Sequence, residues 1–450
     1  MSICRKRDPL KKRIAVVVMG DVDRSPRMIN HALSIANLTQ SYSVDLVGYR
    51  GSSLPKAVED HTRIRPIYLS TTFIKLLQRL PKFLYLLYAI LRIIIQMLQL
   101  CFNPPCVPLL FVLALLKTLR LSRSEIIIDW HNYGYSILRV NRVNKALVFL
   151  AKLYELFFAK WGDHHLCVSR AMQVDLVNKF GIRKTPHVLY DKATKKFRPV
   201  QDPNEMHQLC KRAGLVEKEE ESKTDSTLFT ELADEKGREA RYRQDRPVFL
   251  LSSTSYTPDE DFMILIKALD LLHQKVMSLK QLSKGFKFPR IQVVVTGKGP
   301  LKEHYMQIFD QRNKEAWDGL INIRTVWLDI DDYPLVVGSA DLGVCLHFSS
   351  SGYDLPMKVV DMFSAQLPCL AYEYPCIDEL VQDGLNGRLF KNEEELCTHL
   401  FDTLKNFDAV DKTETLRRYR ESLRDFGRDT WDDQWEKVML IGGKVINESK

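Results

Sequence analysis

Twice along this 450-residue chain, short apolar runs alternate with helical stretches, and a charged segment poor in apolar residues separates the two series. Alternation of this kind implies parallel sheets covered by helices on both faces. The first series reads as strands at Arg13–Met19, Val44–Tyr49, Glu125–Asp129, His165–Val168 and His187–Tyr190. Helices lie between them at Met28–Leu38, about Phe73–Leu100, Pro108–Leu119, Lys145–Trp161 and Met172–Phe180. The second reads as strands at Val248–Ser252, Ile291–Thr296, Ile321–Val326, Leu342–Leu346 and Cys369–Tyr372, with helices at Asp259–Leu279, Lys302–Gln311, from Met357 and at Cys376–Gln382, and a turn at Asn386-Gly387. The fold class is therefore α/β, with two facing Rossmann-like domains. The divisions are a basic arm over 1–13, a first domain over 14–200, a charged linker and mobile insertion over 201–246 with one short helix near Glu205–Arg212, a second domain over 247–425, and a C-terminal helix over 426–450. Ligands of such folds bind at the carboxyl ends of the strands, here in the cleft between domains.

The loops at those ends carry the chemistry. The strand at Leu342 runs into a Ser/Gly turn (Ser349–Gly352), then Asp354-Leu355-Pro356, then a helix whose first turns hold Lys358 and Asp361. A polar turn feeding a helix N-terminus offers free backbone N–H groups and the positive end of the dipole to an anion. A lysine there neutralises a diphosphate, and a carboxylate three residues on accepts ribose hydroxyls. The alternative is an ordinary strand–loop–helix unit with solvated charges. Ser252–Phe262 (SSTSYTPDEDF) and Thr296–Pro300 (TGKGP) add hydroxyls, glycines and Lys298 at neighbouring strand ends, with Ser253, Thr254 and Gly352 as further donor-site candidates. In the first domain, Gly20–Met28 (GDVDRSPRM) places Asp21, Arg24, Ser25 and Arg27 after a strand, where arginines match phosphates. Asp129–Ser136 (DWHNYGYS) crowds Asp129, His131, Asn132 and Tyr133 at another strand end. An imidazole beside a carboxylate is a competent general base. Capping or structural loops are the alternatives for both segments. No Gly-x-Gly-x-x-Gly occurs, which counts against a dinucleotide oxidoreductase.

The net charge of +9 is partly concentrated between Arg5 and Arg13, which holds six basic residues against one acid. That block suits an anionic membrane surface, and no nucleic-acid-binding motif accompanies it. Nine cysteines show no Cys-x-x-Cys pair, so neither a zinc site nor a disulfide framework is expected, and a reducing compartment is. No signal peptide opens the chain. Phe83–Leu100 is almost wholly apolar, but Arg92, Gln96 and Gln99 form a polar stripe continuing back through Lys82, Arg79 and Lys75. This pattern fits a helix lying in the membrane interface, with a buried helix of the first domain as the equal alternative.

Together GDVDRSPRM, IIIDWHNYGYS, VLYDK, FLLSSTSYTPDEDF, VVTGKGPLKEHY, YPLVVGSADLGVCLH and SSSGYDLPMKVVDMF resemble the chitobiosyldiphosphodolichol β-mannosyltransferase family, over about Ile14 to Trp435. The resemblance implies a GT-B fold with the donor GDP-mannose in the second domain. It implies the acceptor GlcNAc₂-diphosphate-dolichol mainly in the first, inversion to a β1,4 linkage, and the cytosolic face of the endoplasmic reticulum membrane. Other dolichol-pathway mannosyltransferases are the protein partners it suggests. Three departures stand out: where the family has a leading transmembrane helix only the basic arm stands, so that the helix is lost, the sequence is truncated or Phe83–Leu100 carries the anchoring; Asp23 stands where the family has glycine; and Phe102 replaces a glutamine before Asn103-Pro104-Pro105. The second of these marks Asp21-x-Asp23 as an accidental pair, so no residue is assigned to a metal. The one cofactor left open is a divalent cation, Mg or Mn, accompanying the diphosphate.

On this basis Ser253, Thr254, Lys298, Gly352, Asp354, Lys358 and Asp361 are expected at the donor, and Arg24, Ser25, Arg27, Asn132 and Tyr133 at the acceptor. Asp21 ranks first as base, ahead of His131 with Asp129. Two rivals remain at this level: a non-catalytic membrane-bound scaffold that keeps the fold, and a GT-B transferase with another donor or lipid-linked acceptor.

Overall fold

The computed structural model describes residues 12–38, 42–51, 53–69, 125–140, 143–216, 226–233 and 239–442. The Phe73–Leu100 and Pro108–Leu119 helices, Asn103-Pro104-Pro105 and all but the end of the basic arm lie outside the described residues. Among the described residues no helix is long and apolar enough to cross a membrane.

In the first domain β1 (Lys12–Asp21), β2 (Tyr42–Tyr49) and β3 (Ile64–Tyr68) form a parallel sheet in the order β1-β2-β3, with α1 (Pro26–Leu38) and the single turn α2 (Lys56–Glu59) as crossovers. A second parallel set, β4 (Ile127–Trp130), β5 (His164–Cys167) and β6 (His187–Val188), is connected through α3 (Gly134–Val140), α4 (Lys145–Phe158) and α5 (Arg170–Asn178). The two sets share one core, in which Leu166 and Leu189 are buried with Val16, Val44 and Leu46. Strand β3 contains Arg65 and Pro66, and a proline among charges conceals it in the sequence; it sits at the outside of its set, where a missing N–H is tolerated.

The stretch over 201–246 departs from its reading as a linker. It contains α6 (Pro203–Arg212) and an antiparallel hairpin of β7 (Thr230–Leu232) and β8 (Ala240–Tyr242). Met206, Leu209 and Cys210, spaced to one helical face, are buried with Leu215 and Phe229 against the second domain's sheet. Phe229 stacks on Phe249 at 4.6 Å. Few apolar residues are present here, but most of the larger ones enter this one core.

The second domain is a six-stranded, all-parallel sheet: β9 (Val248–Thr254), β10 (Ile291–Gly297), β11 (Ile321–Val326), β12 (Leu342–Cys345), β13 (Cys369–Tyr372) and β14 (Gly387–Phe390), in the order β11-β10-β9-β12-β13-β14. Every residue of β9 is buried. Val248 and Leu250 enter one core while Phe249 and Leu251 enter the other, as the two-residue period requires of a strand covered on both faces. The covering helices are α7 (Phe262–Leu282), α8 (Lys302–Glu315), α9 (Tyr333–Ser339), α10 (Met357–Ser364), α11 (Glu393–Leu404) and α12 (Glu414–Ser422). The stretch read as a helix from Cys376 is a single 3₁₀ turn, Ile377–Glu379. Finally α13 (Trp431–Glu436) returns to the first domain, burying Trp431 and Trp435 in its core.

Candidate active site

Strand order places the crevice. The chain runs outward from β9 to β11, then returns to lay β12 on the other side of β9. Loops leaving two strands at such a switch point part in opposite directions, and a ligand fits between them. Here they are the loop after β9 (Ser255–Asp261) and the loop after β12 (Leu346–Pro356), joined by a bridge between Glu260 and His347 and by the Phe348 N–H donating to the Asp259 carbonyl at 3.1 Å.

Charge is concentrated on this junction. His347 lies between Asp259 (Nδ1 to Oδ2, 3.4 Å) and Asp354 (Nε2 to Oδ2, 3.3 Å). Burial opposes its protonation, but hydrogen bonds to the two carboxylates outweigh it and raise the imidazole to about 9. Glu260 is buried; its Oε2 accepts from the Thr254 hydroxyl at 2.6 Å and the Ser255 N–H at 2.7 Å, and its Oε1 pairs with the Lys358 ammonium. Burial lowers Lys358 to about 8, against the attraction of Asp259. Asp361, one turn further along α10, has no cation: burial pushes its carboxyl up to about 8, opposed by the Tyr333 hydroxyl at 3.5 Å. No side chain caps α10, which leaves its first backbone N–H groups to an anion. The His347 and Lys358 cations, each paired with carboxylates, and the N-terminus of α10 thus meet at one junction, with the Asp361 carboxyl one turn along the helix.

Several expected donor residues play other parts. The Thr254 hydroxyl is committed to Glu260, and Ser253 accepts from the Tyr333 hydroxyl at 3.1 Å. Lys298 lies over the Trp327 ring, 5.0 Å from its centroid, beyond the end of β10. Gly297 is required by close approach: a Cβ there would stand 1.8 Å from the Thr254 carbonyl oxygen, at a φ of 140°. Gly352, also at positive φ, forms the turn after β12, where its N–H donates to Ser349 Oγ at 2.8 Å. Asp354 is held in place by Ser349, by Ser351 at 3.3 Å and, across the cleft, by the Asn132 amide at 3.0 Å.

On the first domain the centre is Asp129, at the end of β4. Its Oδ2 accepts from Arg27 Nε at 2.7 Å, His31 Nε2 at 3.0 Å and His131 Nε2 at 2.9 Å, and its Oδ1 from Arg27 Nη2 at 2.9 Å. Burial opposes ionisation, yet the Arg27 guanidinium and the two histidines hold the carboxyl well below the usual range. Asp129 is a permanent anion and orients its neighbours. His31 receives the Trp435 indole N–H on Nδ1 at 3.0 Å, so its own proton sits on Nε2 and points to Asp129. Burial keeps this ring neutral. His131 meets Asp129 through Nε2, which leaves Nδ1 turned away from that contact on a ring that is 44% exposed.

Arg27 is therefore not an acceptor ligand. It is buried, and its remaining donors go to the Leu189 carbonyl at 2.9 Å and Asp191 at 2.8 Å. Tyr133 is likewise fully buried, its hydroxyl donating to Asp175 at 2.9 Å. Asp21 and Arg24 remain accessible at the end of β1, 3.7 Å apart, and the Ser25 hydroxyl donates to the Asp21 carbonyl at 3.1 Å. Asn132 reaches Asp354, and next to it Ser136 meets Ser350 at 3.0 Å while Arg139 donates to the Ser350 carbonyl at 3.1 Å. The two strand-end loops that carry the candidate chemistry thus touch each other. Glu260 and His347, which tie the two loops together, were not singled out from sequence; each lies within a strand-end loop, and their pairing is visible only once the strand order is known. Among the described residues no group of three or more His, Cys, Asp and Glu is placed to hold a metal ion.

The model of the family Glycosyl transferases group 1 matches residues 259–406, the crevice-bearing part of the second domain. Similar solved structures include sucrose-phosphate synthase from Thermosynechococcus elongatus, with a TM-score of 0.60 at 12% identity over 97% of this chain and 98% of that one. Anabaena HepE in complex with UDP and glucose gives 0.58 at 13% over 96% and 99%. Two parallel α/β domains with a switch-point crevice between them define a glycosyltransferase of the GT-B class. The mouse chitobiosyldiphosphodolichol beta-mannosyltransferase is 37% identical over 95% of this chain and 88% of its own length, and the human one 37% identical over 97% and 93%. An Arabidopsis thaliana relative named UDP-glycosyltransferase TURAN is 37% identical over 94% and 95%. The chain belongs to the chitobiosyldiphosphodolichol beta-mannosyltransferase family.

Proposed function

We propose that the chain moves mannose from GDP-mannose to the 4-hydroxyl of the terminal sugar of GlcNAc₂-diphosphate-dolichol, with inversion to a β1,4 linkage, at the cytosolic face of the endoplasmic reticulum membrane. The observation that carries this reading is the junction of Asp129-oriented His131 with the donor crevice, through Asn132 and Asp354. His131 Nδ1 takes the acceptor proton as that oxygen attacks the anomeric carbon, and the bond to GDP breaks on the opposite face. Negative charge gathering on the leaving diphosphate meets Lys358, the His347 imidazolium and the N-terminus of α10. Asp361 accepts the ribose hydroxyls, which return its carboxyl to the ionised form. Asp354 stands toward the transferred sugar, and Arg24, Ser25 and Asn132 toward the acceptor. Mg or Mn would enter only as a companion of the diphosphate. Other dolichol-pathway mannosyltransferases are fitting partners on the same membrane.

The Arabidopsis relative's name favours a second reading, a UDP-sugar donor. One assay separates them: the purified chain is given lipid-linked chitobiose with GDP-mannose, UDP-glucose or UDP-N-acetylglucosamine, with and without EDTA. A trisaccharide formed from GDP-mannose alone is expected. Transfer from a UDP-sugar alone replaces the donor assignment, and no transfer from any donor leaves a non-catalytic scaffold.

A further inference from the structure

Helix α4 is apolar on both sides. Phe149, Leu150, Leu153 and Phe157, spaced to a single face, are 60%, 58%, 46% and 62% exposed, and no residue of the helix is buried. A helix hydrophobic all round normally lies inside a protein, and an apolar patch of this size on a surface marks an interaction site. Its charges are one-sided. Lys145 and Lys152 of the helix and Lys160 just beyond it are exposed, Lys152 with its ammonium 5.8 Å from the centroid of the Tyr135 ring at the border with α3, whereas Glu155, the one carboxylate between Lys145 and Trp161, turns inward to accept the Tyr135 N–H of α3 at 3.2 Å. The outer face therefore presents aromatic and aliphatic groups bordered by lysines, with no acid. Helix α3, packed on α4, adds exposed Ile137 and sends Ser136 and Arg139 to Ser350 at the cleft.

We infer that the outer face of α4 docks on an anionic lipid bilayer, with Phe149, Leu150, Leu153 and Phe157 at the acyl boundary and Lys145, Lys152 and Lys160 at the headgroups. This composition is that of a helix lying in the membrane interface. It rests on the reading of a lipid-linked acceptor: α3 leads from His131 and Asn132 directly to α4, so seating α4 on the bilayer brings the mouth of the cleft to the surface where the acceptor's diphosphate lies.

The test uses the full chain and a Phe149→Ser/Leu150→Ser/Phe157→Ser variant, with vesicles of phosphatidylcholine alone or with phosphatidylserine. A Phe157→Trp variant is also mixed with brominated lipids. The face carries no part of the chemistry, so the triple variant is expected to keep its thermal midpoint and its turnover on a short-chain, water-soluble chitobiosyl-diphosphate acceptor. It should bind phosphatidylserine vesicles at least tenfold more weakly and lose turnover on the long-chain acceptor in vesicles. The introduced tryptophan should be quenched beyond the wild-type signal. Absence of added quenching, or unchanged partition of the triple variant, overturns the inference. A lowered midpoint together with unchanged quenching overturns it as well, and assigns the face to a protein contact. Lack of wild-type transfer to the soluble acceptor would sink the mannosyl reading while leaving vesicle binding and quenching to decide the docking.

Discussion

At the scale of single residues, most of the ionisable groups around the cleft are already paired before any ligand arrives. Asp129 is held by Arg27, His31 and His131, and Lys358 by Glu260. His131→Ala should therefore abolish most turnover while GDP still binds, because the donor crevice is in the other domain; Asp21→Asn should retain substantial activity. Near-complete loss in Asp21→Asn with activity kept in His131→Ala would exchange their roles. Lys358→Ala should lower kcat by about a hundredfold or more, as loss of one transition-state charge partner does. It also strands the buried Glu260, so the companion Lys358→Ala/Glu260→Gln separates a folding defect from a chemical one. If the double variant folds and turns over at the wild-type rate, the leaving-group role is wrong. His347 gives a pH signature. Its ordinary value is 6.5 and its folded value about 9, so its contribution is complete below pH 6.5 and is lost as pH rises through 9. The loss amounts to at most about 3 kcal/mol at 1.36 kcal/mol per unit. Urea unfolding from pH 6 to 9.5 should show wild-type stability falling more steeply than that of His347→Gln. Parallel curves would mean the imidazole is not charged. In the sequence, GDVDRSPRM offered two arginines of equal standing; only burial distinguishes Arg27, which clamps strand ends, from Arg24, which faces solvent.

At the scale of elements, what could be read from sequence follows burial. Strands β9, β10, β12 and β13 are buried along almost their whole length and read as mainly apolar runs, and β11, at the sheet edge, alternates Ile321 and Ile323 inward; all were located to within a few residues. Strand β3, with its proline, the four-residue β14, and α9, with Pro334 and Gly338, carry too little periodicity to be read without their neighbours. The charged region over 201–246 was misjudged for a different reason: composition was averaged over a segment in which Met206, Leu209, Cys210, Leu215 and Phe229 gather in one core. Phe229→Ala tests this. A buried phenylalanine replaced by alanine costs about 3–5 kcal/mol, measurable by denaturant unfolding, whereas in a loose linker the change would be near zero.

At the scale of the whole molecule, the domains meet through hydrogen bonds more than through apolar packing. Glu379 of the second domain accepts from the Arg170 and Ala171 N–H groups, at 2.8 and 2.7 Å, and from the Tyr190 hydroxyl at 3.0 Å. Contacts of that kind allow relative movement. The firmer link is α13, whose Trp435 donates to His31 across 404 residues of chain and thereby sets the ring that faces Asp129. Trp435→Ala should cost about 3–5 kcal/mol of stability and lower transfer, although the residue is on the opposite end of the chain from α1. A variant with unaltered melting and turnover would show that α13 only rests on the surface. None of this was legible from sequence, because a partner so distant leaves no periodic mark.

The position of α13 also bears on how the protein is made. Val16 and Trp435 share one core, so the first domain emerges from the ribosome long before its last piece does. At about 5–20 residues per second, the roughly 230 residues between the end of the first domain and Trp431 take on the order of 10–50 s to synthesise. Throughout that interval the nascent first domain lacks two tryptophans and presents an apolar hollow to its surroundings. A chaperone, or the membrane itself, is the natural occupant of that hollow until translation ends.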